Sequence, residues 1–345
     1  MPVQSAGQRK VPIMKIVIPG GSGQLGQVLA RAFHERGDEV VVLSRRQQSA
    51  PWRTVTWDGE TLDEWADEFE AADAIINLAG QSVNCRYTAE NRRIITESRL
   101  KSTKVVGDAI AQAWTPPRVW LQASTATIYA HRYDAPNDEA TGIIGGSEPN
   151  APDTWRFSIE VATSWERALK DSPTPNTRRV AMRSAIVMNA GKGSPFDMLQ
   201  TLVRFGLGGQ AGDGRQWMSW IHETDFVRAV MWLIEHDELE GPVNLASPNP
   251  LPNAEFMQAL REAWGHPFGL PASEWMLELG ALVLRSETEL ILKSRRVVPT
   301  KLLQSGFTFR FPTWPDAARD LCHRSRHPNG VTESFFGQKL ADHRP

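Results

Sequence analysis

The chain has 345 residues, 41% hydrophobic and 23% charged, which is ordinary globular composition. At this length a chain can bury most of its apolar surface without disulfides or metals as staples. With 38 basic and 40 acidic residues, a formal net charge of -2 and no run of like charge, it is not expected to bind nucleic acid.

In chain order, residues 13–18 read as a first buried strand, and residues 24–36 as a helix with Leu25, Leu29, Ala32 and Phe33 on one face. Gly37 stops that helix, as a C-terminal glycine does. Residues 40–43 and 54–57 read as further strands, and Leu62, Trp65 and Phe69 mark a short helix. A fourth strand is expected over 74–78, a long helix over 89–113 and a fifth strand over 119–123. Residues 130–154 are rich in Gly, Pro, Asp and Asn and read as a long loop, a length that is often functional. Helix returns over 157–169 and strand over 179–183, and the Gly-rich stretch 191–220 reads as irregular. A helix over 224–235 and a strand over 243–246 follow, then helices over 253–264, 273–284, 299–305 and 313–323.

The alternation of short apolar runs with amphipathic helices argues for βαβ units and a parallel sheet, an α/β fold. The expected division is a domain over 12–250, with 191–222 reaching to the substrate side, and a smaller, mainly helical C-terminal domain over 251–325. Residues 1–11 and 328–345 read as flexible tails.

Residues 1–10 are polar and lack the apolar core of a signal peptide, and no stretch approaches ~18 apolar residues. No membrane contact is expected, and a cytoplasmic location follows as the default. Cys85 and Cys322 lie far apart and form neither a disulfide framework nor a metal-ligand spacing, so no metal is expected. Most of the 13 tryptophans sit beside apolar residues and read as core anchors.

The strongest local signal is Gly20-Gly21-Ser22-Gly23-Gln24-Leu25-Gly26, directly after the first strand and opening a helix. Gly21, Gly23 and Gly26 satisfy GxGxxG, and Gly20, Gly23 and Gly26 satisfy GxxGxxG. Glycine allows the tight turn and close approach to a pyrophosphate, which the helix N-terminus attracts. In this setting the motif indicates a dinucleotide site on a doubly wound, Rossmann-type sheet. An acidic residue at the end of the second strand would bind the ribose hydroxyl of NAD. This strand ends Ser44-Arg45-Arg46, and guanidinium groups suit a 2′-phosphate, so NADP is favoured over NAD. Asp58, after the third strand, is placed to meet the adenine amino group. Asn77, Leu78, Ala79 and Gly80, after the fourth, let the cofactor cross the sheet edge, and Arg183 is grouped with these cofactor residues.

The glycine segment, Asn77-Leu78-Ala79-Gly80 and Ser124-Thr125-Ala126-Thr127-Ile128-Tyr129 resemble the extended short-chain dehydrogenase/reductases, the nucleotide-sugar epimerase type. Segments 94–103 (IITESRLKST), 206–222 (GLGGQAGDGRQWMSWIH), 241–250 (GPVNLASPNP) and 296–309 (RVVPTKLLQSGFTF), with Trp165-Glu166, are similar to one atypical branch. That branch carries a small C-terminal helical domain of unassigned function. The resemblance spans about residues 13–323.

The resemblance implies NADP binding, a small unidentified substrate and oxidoreductase or epimerase chemistry. Thr125 matches the family's catalytic Ser/Thr, with Ser124 beside it. The helix that should carry Tyr-x-x-x-Lys reads Phe157-Ser158-Ile159-Glu160-Val161, with Phe157 and Val161 taken as the pair's positions. Tyr129 is the leading substitute acid. Arg215, Gln216, Trp217 and His222 are assigned to the substrate side, and a homodimer is left open. The missing pair also leaves open a catalytically silent NADP-binding sensor or scaffold, or an interaction protein in cell division.

Overall fold

The computed structural model describes residues 12–149, 151–273, 289–327 and 335–336. Its first half alternates β1 (Lys15–Pro19), α1 (Gln24–Arg36), β2 (Glu39–Ser44), β3 (Arg53–Thr56), β4 (Ala74–Asn77), α2 (Ala89–Gln112) and β5 (Val119–Thr125). Then come α3 (Asp153–Asp171), β6 (Arg178–Ser184), β7 (Ile186–Met188), α4 (Pro195–Arg204), β8 (Trp217–Met218) and β9 (Trp220–His222). α5 (Glu223–Glu235), β10 (Gly241–Leu245), β11 (Leu251–Pro252) and α6 (Asn253–Trp264) follow.

Seven strands form one parallel sheet in the order β3-β2-β1-β4-β5-β6-β10. This is the Rossmann order, reversing between β1 and β4, where such sheets bind ligands at the strands' carboxyl ends. Alternate residues of each strand serve opposite faces. Ile16, Ile18, Val40 and Val42 meet Leu29 and Phe33 of α1 and the apolar face of α5. Val17, Val41 and Ile75 meet Val105, Val106 and Ile110 of α2 and Phe69. Both faces are therefore buried, which is why these strands read as continuous apolar runs.

The stretch 191–220, expected to be irregular, contains α4. Its start was readable: Ser194 Oγ accepts from the Asp197 N–H at 3.0 Å, and Pro195 opens the first turn. The surrounding glycines hid that cap. Beyond α6 the chain forms helices Glu289–Leu292, Thr300–Gln304 and Trp314–Arg326. Trp314 stacks on Phe256 of α6 at 3.9 Å between ring centroids, over Met188, Phe196 and Trp220. The expected helix over 273–284 lies outside the described residues from 274 onward. So do the tails, apart from residue 12 and from Phe335 and Phe336, which rest near α1 and Arg228.

Candidate functional site

The turn after β1 is shaped by glycines whose neighbours are backbone. Gly20 has φ 75°, and a Cβ there would lie 2.6 Å from the Ala79 nitrogen. A Cβ on Gly26 would come within 2.4 Å of the Gly21 Cα. Gly20 thus lets the end of β4 pass the turn, and Gly26 lets α1 seat on it. By contrast, a Cβ on Gly23 would meet nothing closer than the Gly20 oxygen at 3.5 Å. That position opens toward the groove.

A groove of about 450 Å³ runs along the carboxyl ends of the first strands. Its walls include Gly20, Ser22, Gly23, Ser44, Arg45, Asp58, Leu78, Ala79 and Gly80, all anticipated cofactor residues. Gly21 and Gly26 are buried beneath it, and Asn77 is interior, donating to Gln122 at 2.9 Å. Gln24 and Leu25 belong to the first turn of α1 and line no part of it. Arg45 and Arg46 are both exposed, but only Arg45 lines the groove. Asp58 Oδ1 accepts from the N–H groups of Glu60 and Thr61, both at 2.8 Å. Desolvation raises the Asp58 pKa, and these bonds outweigh it and hold the carboxyl below its usual range. A larger groove of about 1310 Å³ follows α3 and the edge strand β10, with no glycine-turn residue in its walls. A dinucleotide belongs at the carboxyl ends of the strands, so the smaller groove is the candidate.

Behind β5 lies a second polar constellation. Ser124 Oγ donates to Glu166 at 2.6 Å, and Arg183 grips Glu166 with two bonds at 2.8 and 2.7 Å. Arg183 also donates to the Tyr129 hydroxyl at 2.9 Å, and that hydroxyl donates to Asn244 at 2.9 Å. Burial opposes the Arg183 charge, but Glu166 outweighs it and keeps the guanidinium protonated. Burial pushes the Tyr129 hydroxyl above its usual pKa, with Arg183 partly offsetting it.

This geometry corrects several expectations. Tyr129 is 1% exposed and its proton is committed to Asn244, so it does not face the cleft as an acid must. Arg183 is an interior ion-pair member and lines no part of the nucleotide groove. His222 is fully buried, accepting from the Thr224 N–H and bonded to Asp320 at 3.0 Å. Gln216 is buried and donates to the Ala211 carbonyl at 2.9 Å. Trp217 is half-buried under the Arg296 guanidinium, 4.2 Å from its ring centroid. Arg215 is exposed and lies over the Tyr133 ring. Thr125 is half-buried at the end of β5, its hydroxyl accepting from the Thr127 N–H at 3.1 Å.

Residues 16–152 match the NAD dependent epimerase/dehydratase family, and residues 272–321 match a domain of unknown function (DUF1731). The Bos taurus epimerase family protein SDR39U1 is 31% identical over 89% of this chain and 99% of its own length. The chain belongs to the epimerase family. The Bacillus subtilis epimerase family protein YfhF is 30% identical over 86% of this chain and 94% of its own. The crystal structure of human SDR39U1 with NADPH superposes with a TM-score of 0.78 at 28% identity, over 90% of this chain and 99% of that one.

Two features of this epimerase-family chain escaped the sequence reading. One is the contribution of α2, whose Arg93, Ile94, Glu97, Ser98, Lys101 and Ser102 form the far wall of the groove. The segment 94–103 had stood out as a family motif, a signal without a role attached. The other is Arg99, half-buried beside Gly80 and donating to the carbonyls of Gln81 and Ile95 at 3.0 Å. Desolvation pushes its pKa down to about 10.

The face of α3 that meets β5 is also not the expected one. Phe157 and Val161 turn away and cluster with Ile95 of α2, Val83 and Tyr87. The residues toward the end of β5 are Ala162 and Glu166, and Ser158 continues their spacing of four one turn earlier. Glu166 holds Ser124, and Ala162 packs with Ala126 and Ile128. Neither register supplies a tyrosine or a lysine.

Proposed function

We propose that the chain binds NADP(H) in the groove of about 450 Å³ and acts as an oxidoreductase or epimerase on a small substrate. The observation that carries this reading is the convergence of Gly20, Gly23, Ser44 and Arg45 on one groove, with no acidic side chain at the end of β2. The room left above Gly23 and the close backbone passage at Gly20 fit a pyrophosphate cradle. Arg45 would hold the 2′-phosphate, and Asp58 would meet adenine. The NADPH in the human SDR39U1 crystal structure supports the same choice of nucleotide. Bound there, the nucleotide supplies or accepts a hydride. Thr125, at the strand end, would hydrogen-bond the substrate oxygen. The division into a unit over 12–250 and a helical unit over 251–325 on the substrate side belongs to the same reading.

Calorimetric titration of NADPH and NADH, with wild type and Arg45→Ala, tests it. A charge-assisted contact of this kind contributes roughly 1.5–3 kcal/mol, so the variant should bind NADPH about ten- to a hundredfold more weakly and NADH unchanged. Equal wild-type affinity for both nucleotides would sink the assignment.

A further inference from the structure

Ser158, one turn of α3 before Ala162, is engaged by the C-terminal segment. Ser158 Oγ donates to Glu289 Oε2 at 2.5 Å, across 131 residues. Glu289 opens the short helix Glu289–Leu292, and its side chain is buried. Lys293, fully buried, donates from Nζ to the carbonyl of Thr127 at 2.8 Å, two residues past Thr125. Lys293 Nζ and Arg295 Nη2 lie 3.9 and 3.8 Å from Glu289 Oε1. One carboxylate, two cations and one half-exposed hydroxyl thus meet where α3 passes the end of β5.

We infer that Ser158 and Glu289 form the proton relay that serves the substrate oxygen in place of the missing tyrosine–lysine pair, with Lys293 as a positioning residue. This rests on the oxidoreductase reading above. In the oxidative direction the substrate alcohol gives its O–H proton to Ser158 Oγ while the Ser158 proton passes to Glu289 Oε2. The C–H electron pair leaves as hydride, for which the oxidised nicotinamide nucleotide is the acceptor, and the carbon–oxygen double bond forms. Reduction runs the same transfers backward. Ser158 alone is too weak a base, and a hydrogen-bonded carboxylate overcomes that. Lys293 and Arg295 favour the ionised form of Glu289, and the Lys293 bond to Thr127 fixes the turn that carries Thr125.

The groups facing this cluster are Arg295 from its own segment, Glu148 and His131 from the loop after β5, and Tyr87 from the loop after β4. Burial, and next Arg295, lower the Lys293 pKa to about 8. Loss of the Lys293 proton near that pH would remove a charge beside Glu289.

The experiment uses the full chain as wild type, Ser158→Ala, Ser158→Thr, Glu289→Gln and Lys293→Met. NADPH oxidation is followed on an aldehyde, ketone and quinone panel across pH. Ser158→Ala and Glu289→Gln should lower kcat by about 10²–10⁴-fold with NADPH affinity intact. Ser158→Thr should recover most of the rate, and Lys293→Met should abolish the change in kcat near pH 8. Full wild-type rates in Ser158→Ala and Glu289→Gln would overturn the relay. A second arm needs no turnover: infrared difference spectra of the nucleotide-free protein between acid and neutral pH. A carboxyl band absent from Glu289→Gln and displaced in Ser158→Ala supports the hydrogen-bonded pair, and a band indifferent to Ser158→Ala overturns it. If no carbonyl is turned over but the infrared arm succeeds, the pair stands and the oxidoreductase reading is what fails.

Discussion

Around the glycine turn, polar groups point outward into a groove: Ser22, Ser44, Arg45 and Asp58 all line open space. Behind β5, by contrast, Ser124, Tyr129, Glu166, Arg183 and Asn244 spend their hydrogen bonds on one another. The first arrangement leaves side chains such as the exposed Arg45 accessible to a ligand. The second fixes the angle between β5, α3 and β6. A polar residue in the right segment of sequence is therefore not enough to make a site residue; it must also remain accessible to a ligand.

The largest expected effect breaks the interior set. Glu166→Ala leaves Arg183 buried without its carboxylate, the arginine side chain being only 8% exposed. Losing one partner of a buried ion pair typically costs about 3–5 kcal/mol. Urea unfolding should register most of that loss, and the gap to wild type should persist when both proteins carry NADPH. A change under about 1 kcal/mol would mean that the interior network is as dispensable as a surface pair.

The next tests the groove. Gly20→Ala places a side chain at φ 75° and against the backbone of Ala79. Positive φ and overpacking each cost roughly 1–3 kcal/mol, less together than the loss at Glu166 if the turn shifts to relieve both. The sharper readout is NADPH affinity, since any shift of the turn widens the cradle. Wild-type affinity in this variant would separate the glycine turn from nucleotide binding.

The same contrast explains what the sequence made legible. A glycine turn between a strand and a helix is a local requirement, met by consecutive residues, so Gly20, Gly23 and the end of β2 could be read directly. The parallel sheet was legible for a similar reason, because strands such as Val40–Leu43 are buried on both faces and carry no polar alternation. The interior network joins residues 17 to 115 positions apart, and nothing local distinguishes Tyr129 in a cleft from Tyr129 against Asn244. The α3 register failed for a related reason. Phe157 and Ser158 differ by one residue, about 100° around the helix, and only the partners on each side decide which faces β5.

The smallest expected effect lies on the rim of the groove. Arg93 bonds Glu90 and Glu97, and Lys101 reaches Glu60 and Glu97, with every one of these side chains at least 40% exposed. In drawings of contacts this web rivals the pair of Glu166 and Arg183. Solvent screening and the entropy of holding long side chains leave such pairs little net worth. Glu97→Gln should therefore leave the urea midpoint within error of wild type. Its effect should appear in binding: removing a negative charge from the groove wall lowers repulsion toward an anionic ligand. NADPH should bind slightly tighter at low salt, and the difference should fade as ionic strength rises and shortens the reach of the charge. A clear loss of stability, or a gain in affinity indifferent to salt, would show that the rim is organised as the interior is.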